Sequence, residues 1–557
     1  MPTLQFKGKN IIWNHHLAVP FHTLDEVPEL HYNPEKANGN MIIEGDNLLA
    51  LKALLPQFAG KINVIYIDPP YNTGDDNSNG RGWIYNDNVN SPLLKDWLHK
   101  IVDKSDLARH DKWLCMMTPR LKLLRELLSI DGIIFISIDD NEYHNLISLC
   151  IEIFSEECFV PTFIWEKKKK PSFLHNNVGK LTEYIVCFVR DNDKSYPFSI
   201  DTTTKGKKYP LNNAGNSLET LVFPPNSVSF GIDDQIVKAQ DMSGGNIKTE
   251  LLNDVVIING KNSNEFKLKG EWRYNQKTLN DIIEQGDLLY ISQIPFRPNH
   301  IKGGGEIKKM KNVFSPTHYE METNEDAKKQ LEDLFETSPF DFPKPIKLIS
   351  TIIKATTYHN ENAIILDSFA GSGTTMHAVM DLNKEDGGNR QCIMVQMTEA
   401  TETEPDKNIC RDITRERVKR AIDKYGYDSG FKYYRLGIPL DAETMLAGQL
   451  PTYKQFAKYV YYLCTGENLE AEDKINEAEY YVGEYGKQAI YLVYRQDYET
   501  LTRLALNLTI AEKIKQQQPG KRRIVYAPSC FLDEEYLTDN QIEYVGIPYN
   551  LFQRKNE

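Results

Sequence analysis

The sequence of 557 residues is too long for one ordinary hydrophobic core, so we expect two or three domains. Its formal net charge of -13 argues against a protein that coats nucleic acid, but not against an enzyme whose basic groups gather on one face. The eight cysteines form no C-x-x-C pair, and the chain has neither a signal-like amino terminus nor an apolar run of about eighteen residues, so we expect no metal site, no disulfide framework, no membrane insertion and a cytoplasmic location.

Residues 41–67 predict a βαβ unit. Residues 41–43 form an apolar strand, and Gly45-Asp46-Asn47 opens a helix with apolar periodicity through Leu55. A second apolar strand covers residues 62–67. This pattern is typical of a parallel α/β sheet.

The second strand ends at a tetrapeptide, Asp68-Pro69-Pro70-Tyr71, at the sheet edge where open α/β sheets place ligands. The prolines fix φ and remove two backbone donors, so the Asp68 carboxylate and the Pro69 carbonyl project together as acceptors. Two such acceptors can hold the hydrogens of an exocyclic amine and leave its lone pair available to attack a sulfonium methyl group. Fixed negative groups would stabilise the charge that passes to the nitrogen, and Tyr71 can stack on an extruded base. We expect all four residues to be catalytic, although an isolated match can also be a rigid surface turn.

A second α/β alternation follows the tetrapeptide. It consists of a helix from about residue 111 to 128 that stops near Gly132, an apolar strand over 133–138 and a helix over 142–154. A strand-like segment at 162–165 then leads into a basic loop, Lys167-Lys168-Lys169-Lys170. By itself such a loop can simply be solvated.

The regular pattern is interrupted before it resumes. Residues 195–335 contain short strand-like pieces among Asn, Gly, Ser and Lys, which predicts an inserted, mostly β or irregular module. The α/β pattern returns with a strand at 363–366, a helix to Leu382 and a strand at 392–395, followed by a helix over 412–425. We therefore expect the insert to split one α/β core.

The tail, residues 439–557, has strand candidates around Ile490, Ile524 and Tyr544 and one predicted helix over about 501–513. This pattern indicates a small α/β domain.

A glycine-rich turn follows the strand at 363–366: Asp367-Ser368-Phe369-Ala370-Gly371-Ser372-Gly373-Thr374. Gly371 and Gly373 allow a tight turn and close approach to a ligand, while Asp367 can accept from an ammonium or hydroxyl group. One strand later, Gln396 and Glu399 stand where a ribose hydroxyl pair would lie. Neither a phosphate-gripping lysine nor the third dinucleotide glycine is present, so a nucleoside without phosphate fits best. Alone, the turn can also be a tight structural corner.

Together the two motifs make the sequence resemble the β class of amino methyltransferases, and more closely the modification subunits of type III restriction-modification systems. Their order supports this, because the catalytic tetrapeptide precedes the cofactor turn with a variable region between them. Further similar segments are Gly45-Asp46-Asn47-Leu48-Leu49, residues 113–121, residues 132–139, Lys344-Pro345-Ile346-Lys347-Leu348 and residues 393–396.

The resemblance implies a circularly permuted, Rossmann-like α/β sheet that uses S-adenosylmethionine, with an inserted target-recognition domain and a small carboxyl-terminal α/β domain. The implied boundaries are residues 1–40 for an extension, 41–194 for the catalytic half, 195–335 for target recognition, 336–438 for the cofactor half and 439–557 for assembly or partner docking.

The resemblance also assigns residues to the site. It implies cofactor contacts from Asp46, Lys344, Asp367, Ser368, Phe369, Ala370, Gly371, Gly373, Thr374, Gln396 and Glu399, with Lys344 near the methionine end. Asp68 rather than Ser at the head of the tetrapeptide implies adenine N6 rather than cytosine N4. Ser368 departs from the usual proline.

The implied partners are double-stranded DNA, a second copy of the chain in a homodimer, and a helicase-nuclease restriction subunit. The basic loop would neutralise phosphates without reading sequence. Three alternatives stay open: a recognition and assembly subunit in which methylation is secondary, a cytosine-N4 enzyme, and transfer to RNA or to a protein glutamine amide. The large insert argues against the last, since a small substrate needs no separate reading module.

Overall fold

The computed structural model describes residues 3–73, 108–171, 177–302, 305–400 and 404–547. The chain divides into two compact units. The main unit consists of residues 1–196 and 311–557, and the inserted unit consists of residues 197–310. No helix in the described ranges is long and apolar enough to cross a membrane. Those ranges also contain no group of three His, Cys, Asp or Glu side chains suited to a metal ion.

The main unit is built on a sheet of ten strands. These are β1 (His22–Glu26), β2 (Met41–Glu44), β3 (Ile62–Ile67), β4 (Leu128–Ile138), β5 (Phe159–Glu166), β6 (Thr182–Val189), β7 (Val313–Phe314), β8 (Ile364–Asp367), β9 (Gln391–Gln396) and β10 (Lys432–Pro439). Their order across the sheet is β1-β10-β2-β9-β8-β3-β4-β6-β5-β7. The run from β10 to β4 is parallel throughout, whereas β1 and β6 are antiparallel to their neighbours in that run. The predicted parallel α/β sheet is thus confirmed.

The central strands are almost wholly apolar because both of their faces are covered. In β3, five of the six residues are buried, and in β9 five of six are buried. The predicted bounds of β3 match the observed strand. Strand β4 begins earlier than predicted, since the chain is already extended at Leu128 and Gly132 lies inside the strand.

The helices of the main unit connect and cover these strands. Within the described residues they are α1 (Lys9–Ile12), α2 (His15–Ala18), α3 (Asn47–Phe58), α4 (Arg109–Leu127), α5 (Tyr143–Phe154), α6 (Asn324–Phe335), α7 (Ile346–Thr357), α8 (Thr374–Asp386), α9 (Glu416–Tyr425), α10 (Ala442–Leu446), α11 (Tyr453–Thr465), α12 (Tyr498–Arg503), α13 (Leu508–Gln517) and α14 (Glu534–Asp539). Helix α3 packs on α4, and α7 packs on α8.

Strands β3 and β8 are the neighbours that create the site. Leu366 pairs with Ile65 in parallel register, although the whole insert separates the two strands in sequence. From β3 the chain continues through α4 to β4 on one side, and from β8 it continues through α8 to β9 on the other. Connections that leave in opposite directions open a crevice at the carboxyl ends of the two strands, which is where α/β sheets bind ligands.

The tail forms a second sheet within the main unit, with strands β11 (Tyr481–Tyr485), β12 (Gln488–Leu492), β13 (Arg522–Ala527) and β14 (Ile542–Gly546). The last three are parallel, as expected for a small α/β module. Helix α11 joins this module to the large sheet, since the Tyr459 ring lies 4.8 Å from that of Phe21 and Tyr453 Oη donates to the Leu492 carbonyl.

The single helix predicted over about 501–513 is wrong. Two helices, α12 and α13, flank an extended segment there. Leu506 N donates to the Ser529 carbonyl, and the Leu506 carbonyl accepts from Phe531 N, so this residue is bound into a β-bridge. Asn507 then caps α13 by accepting from Ile510 N. Pairing with a distant segment therefore overrides the local helical pattern.

The inserted unit is mostly β, as predicted. Its strands are Asp201–Thr202, Lys208–Pro210, Leu218–Phe223, Val228–Phe230, Ile236–Val237, Gln240–Asp241, Thr249–Leu251, Val255–Ile258, Lys261–Asn262, Phe266–Glu271, Leu288–Ile291, Asn299–Ile301 and Ile307–Lys308. One helix, Gln276–Glu284, packs its apolar face on this β structure, and Phe223, Phe266 and Phe296 lie in the core. The unit is shorter than the predicted insert, because residues 311–335 belong to the main unit.

Candidate active site

The Asp68 carboxylate lies just beyond β3 and has one occupied and one open oxygen. Oδ2 accepts from Lys344 Nζ at 2.6 Å. Oδ1 is buried and accepts no hydrogen bond from any described residue. A buried acceptor without a donor is costly unless a ligand supplies one, so this oxygen is suited to bind a substrate N–H.

Tyr71 is fixed through its hydroxyl group. Its Oη accepts from Lys344 Nζ at 3.1 Å and donates to Glu183 Oε2 at 3.2 Å. Burial, with the charge of Asp68, raises the pKa of Tyr71 well above its usual range, so the phenol stays neutral and can donate. Burial acts to lower the pKa of Lys344, but Asp68 and Glu183 outweigh it and raise that pKa, so the lysine stays charged.

The second proline of the tetrapeptide is bound through its carbonyl group. Trp113 Nε1 in α4 donates to the Pro70 carbonyl at 2.6 Å, and this indole is fully buried. The Pro70 carbonyl is therefore engaged inside the protein. The role of the Pro69 carbonyl as a second acceptor beside Asp68 stays a prediction.

The glycine-rich turn adopts the conformation that its glycines allow. Gly371 has φ of 50° and Gly373 has φ of 82°. A Cβ atom on Gly373 would lie 2.9 Å from the Thr414 carbonyl, so close packing also requires glycine there. Gly371 N donates to Gln396 Oε1 at 2.7 Å, which ties the turn to the end of β9. The turn is thus closely packed at the start of α8 and is tied to β9.

Two carboxylates flank this turn in unfavourable surroundings. Asp367 accepts from Phe369 N at 3.0 Å and from the Thr375 hydroxyl, yet burial raises its pKa to about 7. Burial also raises the pKa of Glu399, which accepts from Gln396 Nε2 at 3.0 Å. Carboxylates that burial destabilises favour a ligand with positive charge or hydroxyl donors over a phosphate. A sulfonium nucleoside with an ammonium group meets that requirement.

One chain of contacts connects the turn to the tetrapeptide. Thr374 Oγ1 donates to the Lys344 carbonyl at 3.1 Å, while Lys344 Nζ binds Asp68. Arg417, fully buried in α9, donates to Thr374 Oγ1 at 2.6 Å and to Ser372 Oγ at 2.8 Å. The two motifs predicted from sequence therefore meet in one site, with Lys344 between them.

Other predicted cofactor residues have structural contacts. Asp46 caps α3 by accepting from Leu48 N at 2.8 Å, and it lies 3.6 Å from Arg120. Ser368 is buried, and its carbonyl accepts from Asn47 Nδ2 at 3.0 Å. Ala370 N donates to the Val395 carbonyl. Asp46 therefore stabilises the start of α3, whereas the contacts of Ser368 and Ala370 hold the turn against α3 and β9. Contact of these residues with cofactor stays a prediction.

The basic loop is partly engaged by acidic side chains. Lys167 forms an ion pair with Glu183, and Lys169 lies 2.7 Å from Asp326. Lys170 is exposed and Lys168 is half-buried. Contact of this loop with DNA also stays a prediction.

Some residues of the site are not apparent from local sequence patterns. Glu183 lies on strand β6 among apolar neighbours, and Arg417 lies on α9, far along the chain from the groups that they bind. An acidic residue in an apolar strand and an arginine on the apolar face of a helix are the signals that could have revealed them. Trp113 and Asn47 lie in segments that the resemblance included, but without an assigned role.

Comparison with known proteins identifies relatives of this chain. A family model described as DNA methylase, of the N6/N4 methyltransferase type, matches residues 62–424. The Mod subunit of the type III restriction-modification enzyme StyLTI from Salmonella typhimurium is 33% identical over 74% of this chain and 63% of its own length. The EcoPI Mod subunit from Escherichia phage P1 is 31% identical over 65% of this chain and 58% of its own length. The matches thus span about three fifths of these relatives.

Among solved structures, the complex of M1.HpyAVI with SAM covers 66% of this chain and 97% of that chain, with 14% identity and a TM-score of 0.28. The family model spans both motifs and the strands β3 and β8 that position them. The predicted amino-methyltransferase resemblance is confirmed: this chain belongs to the N6/N4 DNA methylase family.

Proposed function

We propose that this chain transfers a methyl group from S-adenosylmethionine to the N6 atom of adenine at specific sites in duplex DNA. We further propose that it is the modification and recognition subunit of a type III restriction-modification system. The observation that carries the proposal is the shared site: Asp68 with an open oxygen and the glycine turn lie at the ends of adjacent strands, and Lys344 connects them.

The residues of the chain would act on the amine rather than form a covalent intermediate. Asp68 Oδ1 and the Pro69 carbonyl accept the two N6 hydrogens and orient the nitrogen lone pair toward the methyl donor. Their negative and dipolar character stabilises the positive charge that develops on nitrogen. The Tyr71 ring, fixed by Lys344 and Glu183, stacks on the flipped base.

The cofactor would lie on the glycine turn. Asp367, Gly371, Gly373, Gln396 and Glu399 would hold its nucleoside and ammonium groups, and the bound cofactor supplies an electrophilic methyl group. The destabilised carboxylates of Asp367 and Glu399 favour such a cation.

The inserted unit is the candidate for recognition of the DNA sequence. It has its own hydrophobic core, and its described residues within 197–310 contribute no strand to the catalytic sheet. Among the lysines of the basic loop, Lys168 and Lys170 are better suited to contact phosphates, because Lys167 and Lys169 already bind carboxylates. We also propose that the chain forms a homodimer and binds a helicase-nuclease partner. The similarity to Mod subunits supports them, and the tail module is the candidate docking surface.

The variant Asp68→Ala tests the catalytic assignment. It removes the open oxygen, so we expect methyl transfer to fall at least about 1,000-fold while cofactor affinity changes by less than about twofold. Transfer is measured with labelled cofactor on unmethylated chromosomal DNA, and affinity by calorimetry. Retained turnover in this variant would refute the role of Asp68.

The methylated base is identified separately. Mass spectrometry of nucleosides from wild-type reactions should show N6-methyladenine, whereas N4-methylcytosine would support the alternative target. Methylated RNA or protein without methylated DNA would contradict the proposal as a whole.

A further inference from the structure

The Glu142 carboxylate receives three hydrogen-bond donors beside the catalytic tetrapeptide. Glu142 follows strand β4 and directly precedes α5, and its side chain is fully buried. Oε1 accepts from Asn72 Nδ2 at 2.5 Å and lies 2.7 Å from His110 Nδ1. Oε2 accepts from Asn145 Nδ2 at 2.7 Å. A buried carboxylate with three hydrogen-bond partners keeps those side chains in fixed positions.

One of the groups held is the residue directly after Tyr71. Asn72 is fully buried and has φ of 56°, in the left-handed region that non-glycine residues seldom adopt. Asparagine tolerates this conformation better than most residues, and a hydrogen bond from its side chain fixes it. The bond to Glu142 therefore helps to set the direction in which the backbone leaves Tyr71.

A second anchor lies on the other side of Tyr71. The Pro70 carbonyl accepts from Trp113, which stands one turn after His110 on α4. Helix α4 thus contributes both to the Glu142 cluster and to the Pro70 contact. Because both anchors are buried, the backbone of Tyr71 is fixed before substrate arrives, while its hydroxyl is fixed separately by Glu183 and Lys344.

Neither the catalytic tetrapeptide nor the cofactor turn includes this cluster. Glu142 does not approach Asp68 or Lys344 by any hydrogen bond among the described residues, so it has no direct part in the proposed chemistry. Burial raises the pKa of Glu142, and the bonds from Asn145, Asn72 and His110 oppose that effect. A fully buried carboxylate of this kind contributes contacts within the protein rather than surface charge.

We propose that Glu142 is a positioning residue that, through Asn72, holds Tyr71 in the geometry required for methyl transfer. This inference rests on the proposed function. It predicts that loss of Glu142 impairs the chemical step and leaves the cofactor site intact, because Asp367 and the glycine turn belong to other strands.

The first experiment compares Glu142→Ala with Glu152→Ala. Glu152 lies on α5, the helix that Glu142 directly precedes, and also accepts two donors, Leu4 N at 2.5 Å and Lys9 Nζ at 2.6 Å, but these belong to the amino-terminal segment. We expect E142A to lower kcat about 10- to 100-fold with the cofactor KM unchanged within about twofold. E152A should leave kcat within about twofold. Both are assayed with labelled S-adenosylmethionine and unmethylated chromosomal DNA, and thermal unfolding is recorded for each.

The second experiment tests whether Glu142 acts through Asn72. Asn72→Gly removes the side chain but permits the same positive φ, so it tests the contact without new backbone strain. If the contact positions Tyr71, the double variant E142A/N72G should be no slower than the slower single variant. Multiplicative losses would show independent effects and overturn the proposed connection.

The conservative variant Glu142→Gln separates positioning from a purely structural role. Glutamine can retain the Oε1 contacts with Asn72 and His110 and lose only the acceptor for Asn145. We expect kcat to be highest in the wild type, intermediate in E142Q and lowest in E142A. The inference fails if the wild type methylates adenine and E142A is equally active, or if kcat and thermal stability fall together in E142A and E152A. An inactive wild type would instead refute the proposed function, and the inference with it.

Discussion

The family resemblance and the structure indicate different contacts for the Lys344 side chain. The resemblance implies a position near the methionine end of the cofactor, whereas the side chain contacts Asp68 and Tyr71, and its ammonium lies 5.2 Å from the Tyr71 ring centroid. The Lys344 carbonyl contacts the cofactor turn through Thr374, and the charge of Asp367 also acts on the ammonium. These two positions predict different kinetic effects when the ammonium group is removed.

The variant Lys344→Met keeps much of the side-chain volume and removes the charge. If Lys344 serves Asp68 and Tyr71, kcat should fall about 10- to 100-fold and the cofactor KM should change by less than about twofold. A large rise in the cofactor KM with unchanged kcat would instead support the position near the methionine end. Lys347→Met, an exposed lysine on the same segment, is the matched control and should behave as wild type.

Residue types near the site could be predicted because their chemistry is local. Asp68, Pro69 and Tyr71 are adjacent in sequence, so a carboxylate, a carbonyl and a ring at a strand end could be deduced without coordinates. Three other features could not be deduced, because each depends on side chains from distant segments. They are the Asp68 Oδ1 atom without a hydrogen bond from the described residues, the hydrogen bond from Trp113 to the Pro70 carbonyl and the hydrogen bond from Tyr71 to Glu183.

At the scale of elements, Gly373 in the cofactor turn meets two requirements, a left-handed backbone conformation and close packing, whereas Gly387 meets only the first. Gly387, at the carboxyl end of α8, has φ of 74° and open space around it, whereas Gly373, at the start of the same helix, has φ of 82° and the Thr414 carbonyl close by. The two glycines therefore share backbone conformation and differ in packing.

This difference gives a matched pair of variants. Gly387→Ala should lower the free energy of unfolding by about 1–2 kcal/mol, the usual cost of a left-handed alanine. Gly373→Ala should cost more, because Thr414 must also move, and it should weaken cofactor binding at least about tenfold. Urea unfolding and calorimetry provide the two measurements. Equal costs in both variants would show that packing at Thr414 is unimportant.

Hydrophobic periodicity predicted the bounds of some helices and strands correctly and failed for one helix. Strand β3 and helix α5 were predicted within one residue at each end, because burial on both faces or on one stripe leaves a clear pattern. The helix predicted over 501–513 failed because Leu506 pairs with Ser529 and Phe531. A local pattern contains no information about a partner that lies elsewhere in the chain.

For the whole molecule, the inserted unit offers a direct test of recognition. Met310 N donates to the Phe198 carbonyl at 2.9 Å, so the two ends of this unit are adjacent. A short Gly-Ser linker can therefore replace residues 199–309. We expect the shortened protein to bind cofactor within about twofold of wild type and to lose site-specific methylation, since phosphate contacts alone do not read sequence.

Single-molecule sequencing of DNA from a host that expresses each protein reports the methylated positions. Methylation by the shortened protein at the wild-type sites would contradict the recognition role of the inserted unit. Loss of cofactor binding would instead show that the main unit depends on the insert for its fold.

The α/β class, the split of the core by an insert, the two motifs and the family could all be predicted from the amino-acid sequence, because they depend on periodicity, turn residues and short contiguous motifs. The three-dimensional structure was needed to show that β8 lies beside β3, that Lys344 binds Asp68, that Glu142 binds Asn72 and that Trp113 binds the Pro70 carbonyl. The physical reason is that strand order and side-chain contacts depend on how distant segments bury one another, whereas element type depends largely on neighbours along the chain.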